Sequence, residues 1–316
     1  MNYNKIILKK TSCIVCKKIN SKKLFNAKYL LFNLKGNYTV VRCNYCNLIR
    51  TDPMPTISSI KYYYPENYAP YLDTKIKKKI NIFKMYAKRI INYFFDARGE
   101  FLPNLPPGNI LDIGCASGSF LYEMKKKGWN AFGIEPSKYA ADYAKKELNL
   151  NVYNGSIENA KKPKCKTLDL IVGWMTIEHL HNPILVLKKL RSWSNKSTYL
   201  VLSLPNAGSF EFNLFKKYWY ALQVPTHAHH FTSKTIKKVL KIGGWNAERI
   251  IYQRSISNII ASLGHILQFY GFKKIGRRLI DYTSNPGLFN YFFYPLSYIL
   301  ALFRQTVRMT IWAKIN

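Results

Sequence analysis

The sequence predicts an α/β fold: a mostly parallel, doubly wound sheet with a small cysteine-rich module ahead of it and a helical insertion before its last strand. Three observations carry that expectation. Short apolar runs alternate with helical patterns over residues 109–256, as they do in parallel sheets. Asn109-Ile110-Leu111-Asp112-Ile113-Gly114-Cys115-Ala116-Ser117-Gly118-Ser119-Phe120 reads as a buried strand running through a glycine turn into a helix. Two Cys-x-x-Cys pairs lie near the N-terminus.

The chain has 316 residues, 48% of them hydrophobic, enough for one large core or one core and an appendage. Its 49 Lys and Arg against 16 Asp and Glu give a formal charge of +33, which invites a nucleic-acid or anionic-membrane partner. Most of these cations are Lys, and Asn and Ile are abundant, so part of the excess reflects an AT-rich coding composition. The distribution is more informative than the total. Ten of the sixteen acids fall between Asp96 and Glu178, and from Arg249 onward nine Lys or Arg face the single Asp281. No signal-peptide-like apolar region opens the chain, and no stretch reaches the roughly 18 to 20 apolar residues of a spanning helix. A cytoplasmic protein is the expectation.

Residues 1–70 carry Cys13 and Cys16, then Cys43 and Cys46, with 26 residues between the pairs. In a reducing compartment this spacing reads as Zn2+ and not as disulfides. Four thiolates leave no open coordination position, so the zinc is expected to be structural, stapling a segment too small to fold on its own core. Next comes Tyr62-Tyr63-Tyr64-Pro65-Glu66-Asn67-Tyr68, neither helical nor strand-like. It is either a loop whose tyrosines pack on the domain beneath, or a lid whose Tyr64, Glu66 and Tyr68 contact a polar acceptor such as a sugar. Residues 71–108 form a bridge. Ile76, Ile80, Phe83, Ala87, Ile90, Ile91 and Phe94 share one face of a helix over residues 74–95, and prolines at 103, 106 and 107 end it.

Residues 109–316 form the main domain. Trp129-Asn130-Ala131-Phe132-Gly133-Ile134-Glu135 is the second strand, ending in an acid placed to accept both hydroxyls of a ribose; a helix cap ahead of Pro136-Ser137 is the bland alternative. The third strand is Asn151-Val152-Tyr153, followed by Gly155-Ser156-Ile157, and the fourth covers residues 168–174. After it comes Met175-Thr176-Ile177-Glu178-His179-Leu180-His181-Asn182-Pro183, then a helix over residues 185–193 and a fifth strand over 198–203. The aromatic-rich excursion 205–231 is long for a connection and is expected to border the acceptor pocket. A helix over residues 232–242 and a sixth strand over 247–255 follow, with a seventh at 308–315. Residues 257–305 are an insertion with helices at 259–269 and 288–303, and Lys273, Lys274, Arg277 and Arg278 between them. It reads as a cap on the acceptor site or as a peripheral contact with anionic lipid.

Leu111 to Gly118, Gly133-Ile134-Glu135-Pro136-Ser137, Glu178-His179 and His229-His230-Phe231-Thr232 together resemble the class I S-adenosylmethionine-dependent methyltransferases. The four cysteines with Tyr64-Pro65-Glu66-Asn67-Tyr68 resemble more narrowly the zinc-containing sugar methyltransferases of surface-polysaccharide and deoxysugar pathways. The resemblance covers nearly the whole chain and implies a Rossmann-like seven-stranded sheet whose last two strands form an antiparallel edge. It implies that the Gly114, Cys115 and Gly118 loop lies against the cofactor, with Asp112 at its amino-acid end and Glu135 on the ribose diol. Ser156 and Ile157 would flank the adenine, and Trp174 and Met175 would line the site beside the sulfonium. Ala116 departs from the glycine many members carry; a negative φ would make its methyl tolerable.

Sulfonium methyl donation is an in-line displacement, so the protein must align the reactants and remove one proton. Histidine suits that task near neutral pH. His179, with its sequence neighbour Glu178, His229 and His230 are the candidates; His181 and His227 read as loop packing. The expected function is methyl transfer from S-adenosylmethionine to a carbohydrate, as nucleotide-linked sugar or nascent surface glycan. An RNA methyltransferase with a zinc-ribbon module is the alternative, favoured by charge but lacking an Asn-Pro-Pro-Tyr stretch for a flipped base: Asn182-Pro183 continues as Ile184-Leu185. A non-enzymatic zinc-ribbon adaptor is a third reading, disfavoured by the intact loop and ribose acid.

Overall fold

The computed structural model describes residues 6–30, 36–64, 101–283 and 293–315. Glu66, Tyr68 and the helix expected over residues 74–95 lie outside the described residues. The N-terminal module contains β1 (Leu8–Lys9), β2 (Ser21–Ala27), β3 (Tyr38–Cys43), β4 (Ile49–Thr51), β5 (Met54–Pro55) and the single turn α1 (Ile57–Ile60). β2, β3 and β4 form an antiparallel ladder, and β1 pairs with β5. Arg50, fully buried, ties this module together: its guanidinium donates to Ser21 Oγ, the Thr11 carbonyl and Asp52 Oδ2, each at 3.0 Å.

The main domain then alternates as the sequence predicts. Its elements are β6 (Asn109–Ile113), α2 (Ser119–Lys126), β7 (Asn130–Glu135), α3 (Lys138–Leu148), β8 (Asn151–Asn154), β9 (Leu170–Trp174), α4 (Pro183–Ser192) and β10 (Tyr199–Pro205). After it come α5 (Phe210–Phe215), β11 (His229–His230), α6 (Ser233–Ile242), β12 (Asn246–Tyr252), α7 (Ser257–Phe269), α8 (Lys273–Asp281), α9 (Tyr294–Leu302) and β13 (Arg308–Lys314). The seven-stranded sheet runs β8-β7-β6-β9-β10-β13-β12. β8 through β10 are mutually parallel, while β13 is antiparallel to both β10 and β12, which makes the expected antiparallel edge.

Strands covered on both faces need apolar side chains on both, which is why β6, β9 and β10 read as continuous apolar runs. On one face Leu111, Ile113, Ile171, Leu200 and Leu202 pack with Val186, Leu190, Ile236 and Leu240 from α4 and α6. On the other, Ile110, Leu170, Val172 and Val201 meet Leu121, Ala141 and Ala144 from α2 and α3. Side chains cap the helices where the sequence supplies them. Ser137 accepts the Ala140 N–H, Asn182 precedes Pro183 at the start of α4, and Thr232 with Thr235 forms a capping box for α6.

Two segments differ from expectation. The 205–231 excursion, read from sequence only as a border of the acceptor pocket, contains a strand: β11 pairs with β4, so the module's sheet becomes β11-β4-β3-β2. A second core of Tyr29, Tyr38, Val40, Tyr63, Phe212, Trp219 and Val224 joins the module to the excursion. The basic stretch at 273–278 is helical, not a connection. α8 buries only Gly276, and it lies so close to α7 that a Cβ at Gly264 would stand 2.6 Å from the Gly276 carbonyl. Its apolar side, Ile275, Leu279 and Ile280, is short beside four cations, so the sequence reads there as a basic connection.

Candidate active site

The carboxyl ends of β6 and β7 hold the glycine loop. Asp112 is buried at the end of β6, and Oδ1 has no hydrogen-bond partner among the described residues. Burial, and then the Glu135 carboxylate, hold its carboxyl well above the usual range. Gly114 and Gly118 have φ of 75° and 81°. A Cβ at Gly114 would stand 2.7 Å from Thr176 Oγ1, and at Gly118 2.6 Å from Leu150 Cδ1, so the protein's own packing demands both glycines before any ligand is considered. Ala116 does not have the negative φ that would make its methyl strain-free: φ is 48°, in the left-handed region. Its N–H donates to Glu135 Oε2 at 2.9 Å, while the Ser137 N–H donates to Oε1 at 2.8 Å. Glu135 therefore clamps the loop to β7 and caps the following turn, with a second lone pair on each oxygen left for hydroxyls.

The Cys115 side chain turns into the core, against the space a Cβ on Gly133 would fill, so any contribution it makes to a ligand comes through its main chain. Ile157 is also core, and Ser156 starts the turn after β8 by accepting the Asn159 and Ala160 N–H groups. Half-buried Trp174 stands edge-on to Phe120 at 5.3 Å, and its buried Nε1 finds no partner among the described residues. Met175, with φ 54°, donates its N–H to the Ser203 carbonyl at 2.7 Å. An unpartnered acceptor on Asp112 and an unpartnered donor on Trp174, at the ends of neighbouring strands, fit a polar cofactor.

Beyond β9, the short 3-10 turn Ile177–His179 gathers a second group. One donor atom each from Glu178, His179 and His227 lie within 4.8 Å of one another. Both Glu178 oxygens are buried without partners among the described residues, and burial pushes the carboxyl up to about 8. His179 Nδ1 lies 3.0 Å from the Thr226 carbonyl and 2.7 Å from the Tyr64 hydroxyl. A carbonyl only accepts, so Nδ1 carries the proton and Nε2 the lone pair. His227 follows the same logic: Nδ1 donates to the Ala221 carbonyl at 3.0 Å, and Nε2 is buried without a partner among the described residues. Burial holds both rings neutral, His179 down to about 4 and His227 well below the usual value.

Residues 86–249, about half of the chain, match the family described as a methyltransferase domain. The chain belongs to this methyltransferase domain family. The methyltransferase is 32% identical over 105 residues to a malonyl-[acyl-carrier protein] O-methyltransferase of Halalkalibacterium halodurans, a match covering 31% of this chain and 39% of that one. Over 121 residues it is 32% identical to an (S)-tetrahydroprotoberberine N-methyltransferase of Eschscholzia californica, covering 35% of each. The chain thus spans well under half the length of these curated relatives, whose names describe transfer to oxygen in one and to nitrogen in the other. Among solved structures, the magnesium protoporphyrin IX methyltransferase of Synechocystis, with bound SAH, matches at a TM-score of 0.46 and 12% identity, over 81% of this chain and 97% of that one. The family shown is that of the methyltransferase domain, on an α/β sheet with an antiparallel edge.

Of the histidines this methyltransferase offers as bases, the structure brings His179 into the group with Glu178. His230 is further out, its ring 6.4 Å from that of His227, with Nε2 at 3.3 Å from Thr51 Oγ1. His229 donates from Nε2 to the His181 carbonyl at 3.4 Å and packs on Phe231, outside the group. Both are buried residues of β11, which explains their pattern without catalysis. His181 reaches the Pro55 carbonyl at 2.8 Å, in keeping with packing. His227, expected only to pack, is instead in the group. It arrives there because the Ala228 N–H donates to the Glu178 carbonyl at 2.9 Å and Thr51 Oγ1 to the His227 carbonyl at 2.8 Å. No local pattern signals such a long-range stitch.

The four cysteines also meet. Cys13 and Cys46 sulfurs are 3.3 Å apart, Cys16 and Cys43 3.4 Å, and all four lie within 4.8 Å. A tetrahedron with Zn–S bonds of about 2.3 Å has edges of about 3.8 Å, so the group has the size of a zinc site. The two turns repeat one another. In each, the first Cys carbonyl accepts the N–H four residues on, from Lys17 or Asn47, and those residues have φ of 62° and 64°.

Proposed function

We propose that this methyltransferase transfers the methyl group of S-adenosylmethionine to a carbohydrate, as a nucleotide-linked sugar or nascent surface glycan, with His179 as the proton acceptor and the four cysteines holding structural zinc. The observation that carries the reading is the Tyr64 hydroxyl 2.7 Å from His179 Nδ1. The tyrosine strip that follows the cysteine module and the histidine turn that follows β9 meet there, so the module contributes to the acceptor side. A polar group of Tyr64, Glu178, His179 and His227 suits an acceptor that presents several hydroxyls.

Bound S-adenosylmethionine supplies a methyl group on a positively charged sulfur, open to in-line attack. Asp112 and Trp174 Nε1 offer an acceptor and a donor to its amino-acid end, Glu135 offers lone pairs to its ribose hydroxyls, and Ser156 and Ile157 border the adenine. Of the two histidines in the group, His179 is the one partly open to solvent, so its Nε2 takes the acceptor's proton. Its Nδ1–H stays on the Thr226 carbonyl and keeps the ring aimed. His227 and Glu178 back it, and because burial pushes the Glu178 carboxyl up to about 8 it stands beside the ring as a neutral acid near neutral pH.

The test is mass-spectrometric detection of methyl transfer by the full chain to a panel of nucleotide sugars and to RNA. Turnover on a sugar is expected, with His179→Ala lowering kcat by about 10²- to 10⁴-fold at unchanged cofactor affinity. Full turnover by His179→Ala would remove the base assignment, and methylation of RNA alone would remove the sugar.

A further inference from the structure

The insertion between β12 and β13 exposes a surface on which none of the residues assigned to the transfer reaction lies. α7 ends and α8 begins with Phe269-Tyr270-Gly271-Phe272-Lys273-Lys274-Ile275. Phe269, Tyr270, Phe272 and Ile275 are 62%, 69%, 58% and 53% exposed, and Leu263 on α7 is 44% exposed. A run of large apolar side chains standing in water is costly, and on a soluble surface it marks a contact site. Lys273, Lys274, Arg277 and Arg278 on α8 are all exposed, and Lys217 reaches over the Phe269 ring at 5.3 Å. The insertion's one acid, Asp281, answers only Arg277, at 3.9 Å in full solvent, a pairing worth little. Seating α8 on α7 through Gly264 and Gly276, with Ile280 half-buried at the contact, holds this helix while leaving its four cations and Ile275 outward.

From this juxtaposition we propose that the α7–α8 tip docks on an anionic membrane surface, the aromatics entering the interface and the cations meeting the headgroups. Each component has its physical place: aromatic rings settle at the headgroup level, aliphatic chains enter beneath it, and each cation near an anionic leaflet adds attraction. Aliphatic content decides against nucleic acid. Rings can stack on bases, but Ile275 and Leu263 gain nothing from them, and α9 in the same insertion exposes Leu296, Ile299, Leu302 and Phe303 as well. A second copy of the chain would bring one cationic tip against another. The inference is independent of the acceptor assigned above and of the zinc.

Flotation of the full chain with vesicles tests it, using phosphatidylcholine alone and phosphatidylcholine mixed with phosphatidylglycerol. Binding to the mixed vesicles and not to the neutral ones is expected. Because the whole chain is strongly basic, the deciding variant leaves charge unchanged: Phe269→Ser with Tyr270→Ser and Phe272→Ser should weaken binding by about tenfold or more. Lys273→Ala with Lys274→Ala should do the same. All these positions are exposed, and an unchanged melting temperature confirms folding. The proposal is overturned if wild type does not float, or if the aromatic variant floats as well as wild type, since general charge then suffices. It is also overturned if the tip substitutions abolish self-association or RNA binding while vesicle binding persists.

Discussion

At the scale of single residues, the glycine loop is constrained by protein before cofactor. Gly118 cannot carry a Cβ because Leu150 and Ala144 are already there, and Gly114 cannot because of Thr176. Ala116 has no such neighbour forcing it; it sits at φ 48° because its N–H is held by Glu135. A left-handed conformation costs a non-glycine residue about 1 to 2 kcal/mol, partly offset in a glycine variant by the unfolded chain's greater freedom. Ala116→Gly is therefore expected to stabilise the protein by up to about 1 kcal/mol, read as a rise in the denaturation midpoint at unchanged slope. A fall in the midpoint would mean that the methyl contributes contacts worth more than the strain. Spacing identified this loop and Glu135 from sequence alone, because the chemistry of the turn is local. The sign of φ at Ala116 was not legible, since a hydrogen bond from 19 residues away sets it.

At the scale of elements, legibility follows the length of the apolar pattern. β6, β9 and β10 bury both faces and could be read from their composition alone. β11 is two histidines with no pattern of its own, made a strand by β4, and α8 has its four cations and Ile275 in water. The consequence of β11 is that the cysteine module shares one sheet with the segment that carries His227. Arg50 sits opposite His229, and Thr51 holds the His227 carbonyl. Unstapling the cysteines should therefore be felt at the histidines. If the cysteines hold zinc as proposed, metal removal by a strong chelator, or Cys43→Ser, is expected to lower the melting temperature and abolish most methyl transfer, because the module loses a staple. Cofactor affinity should fall much less than methyl transfer, since the glycine loop and Glu135 hold one another, although Cys13, Cys43 and Cys46 share one core with Leu111 and Ile113 of β6 and Phe132 and Ile134 of β7. Isothermal titration with S-adenosylmethionine on the chelated protein checks this; loss of cofactor binding alongside activity would mean global unfolding.

At the scale of the whole molecule, the balance of buried titratable groups sets how stability depends on pH. Burial moves His179, His229 and His265 down to about 4 and His230 to about 3, and His227 well below its ordinary value. Unfolded, each returns to 6.5, so between those values the unfolded chain binds more protons and stability falls as pH drops from about 6.5 toward about 4. Burial moves Glu178 and Glu211 the other way, from 4.5 to about 8. Here the folded chain keeps its protons longer, so this contribution is complete below 4.5 and is lost as pH rises through about 8. Burial raises Asp112 and Glu135 in the same sense, but the five lowered histidines still outnumber these four carboxyls, so the acid side wins where the windows overlap, and the zinc-saturated protein should melt at its highest temperature near pH 6.5, declining on both sides. The alkaline decline is the sharper test, because acid also protonates the thiolates. Glu211 lies away from the reacting group, in the layer around α5, and Glu211→Gln removes its ionisation at nearly constant shape. The variant should lose less melting temperature than wild type as pH rises through about 8, with activity largely kept. An identical decline in both proteins would mean that Glu211 does not stay protonated in the folded state.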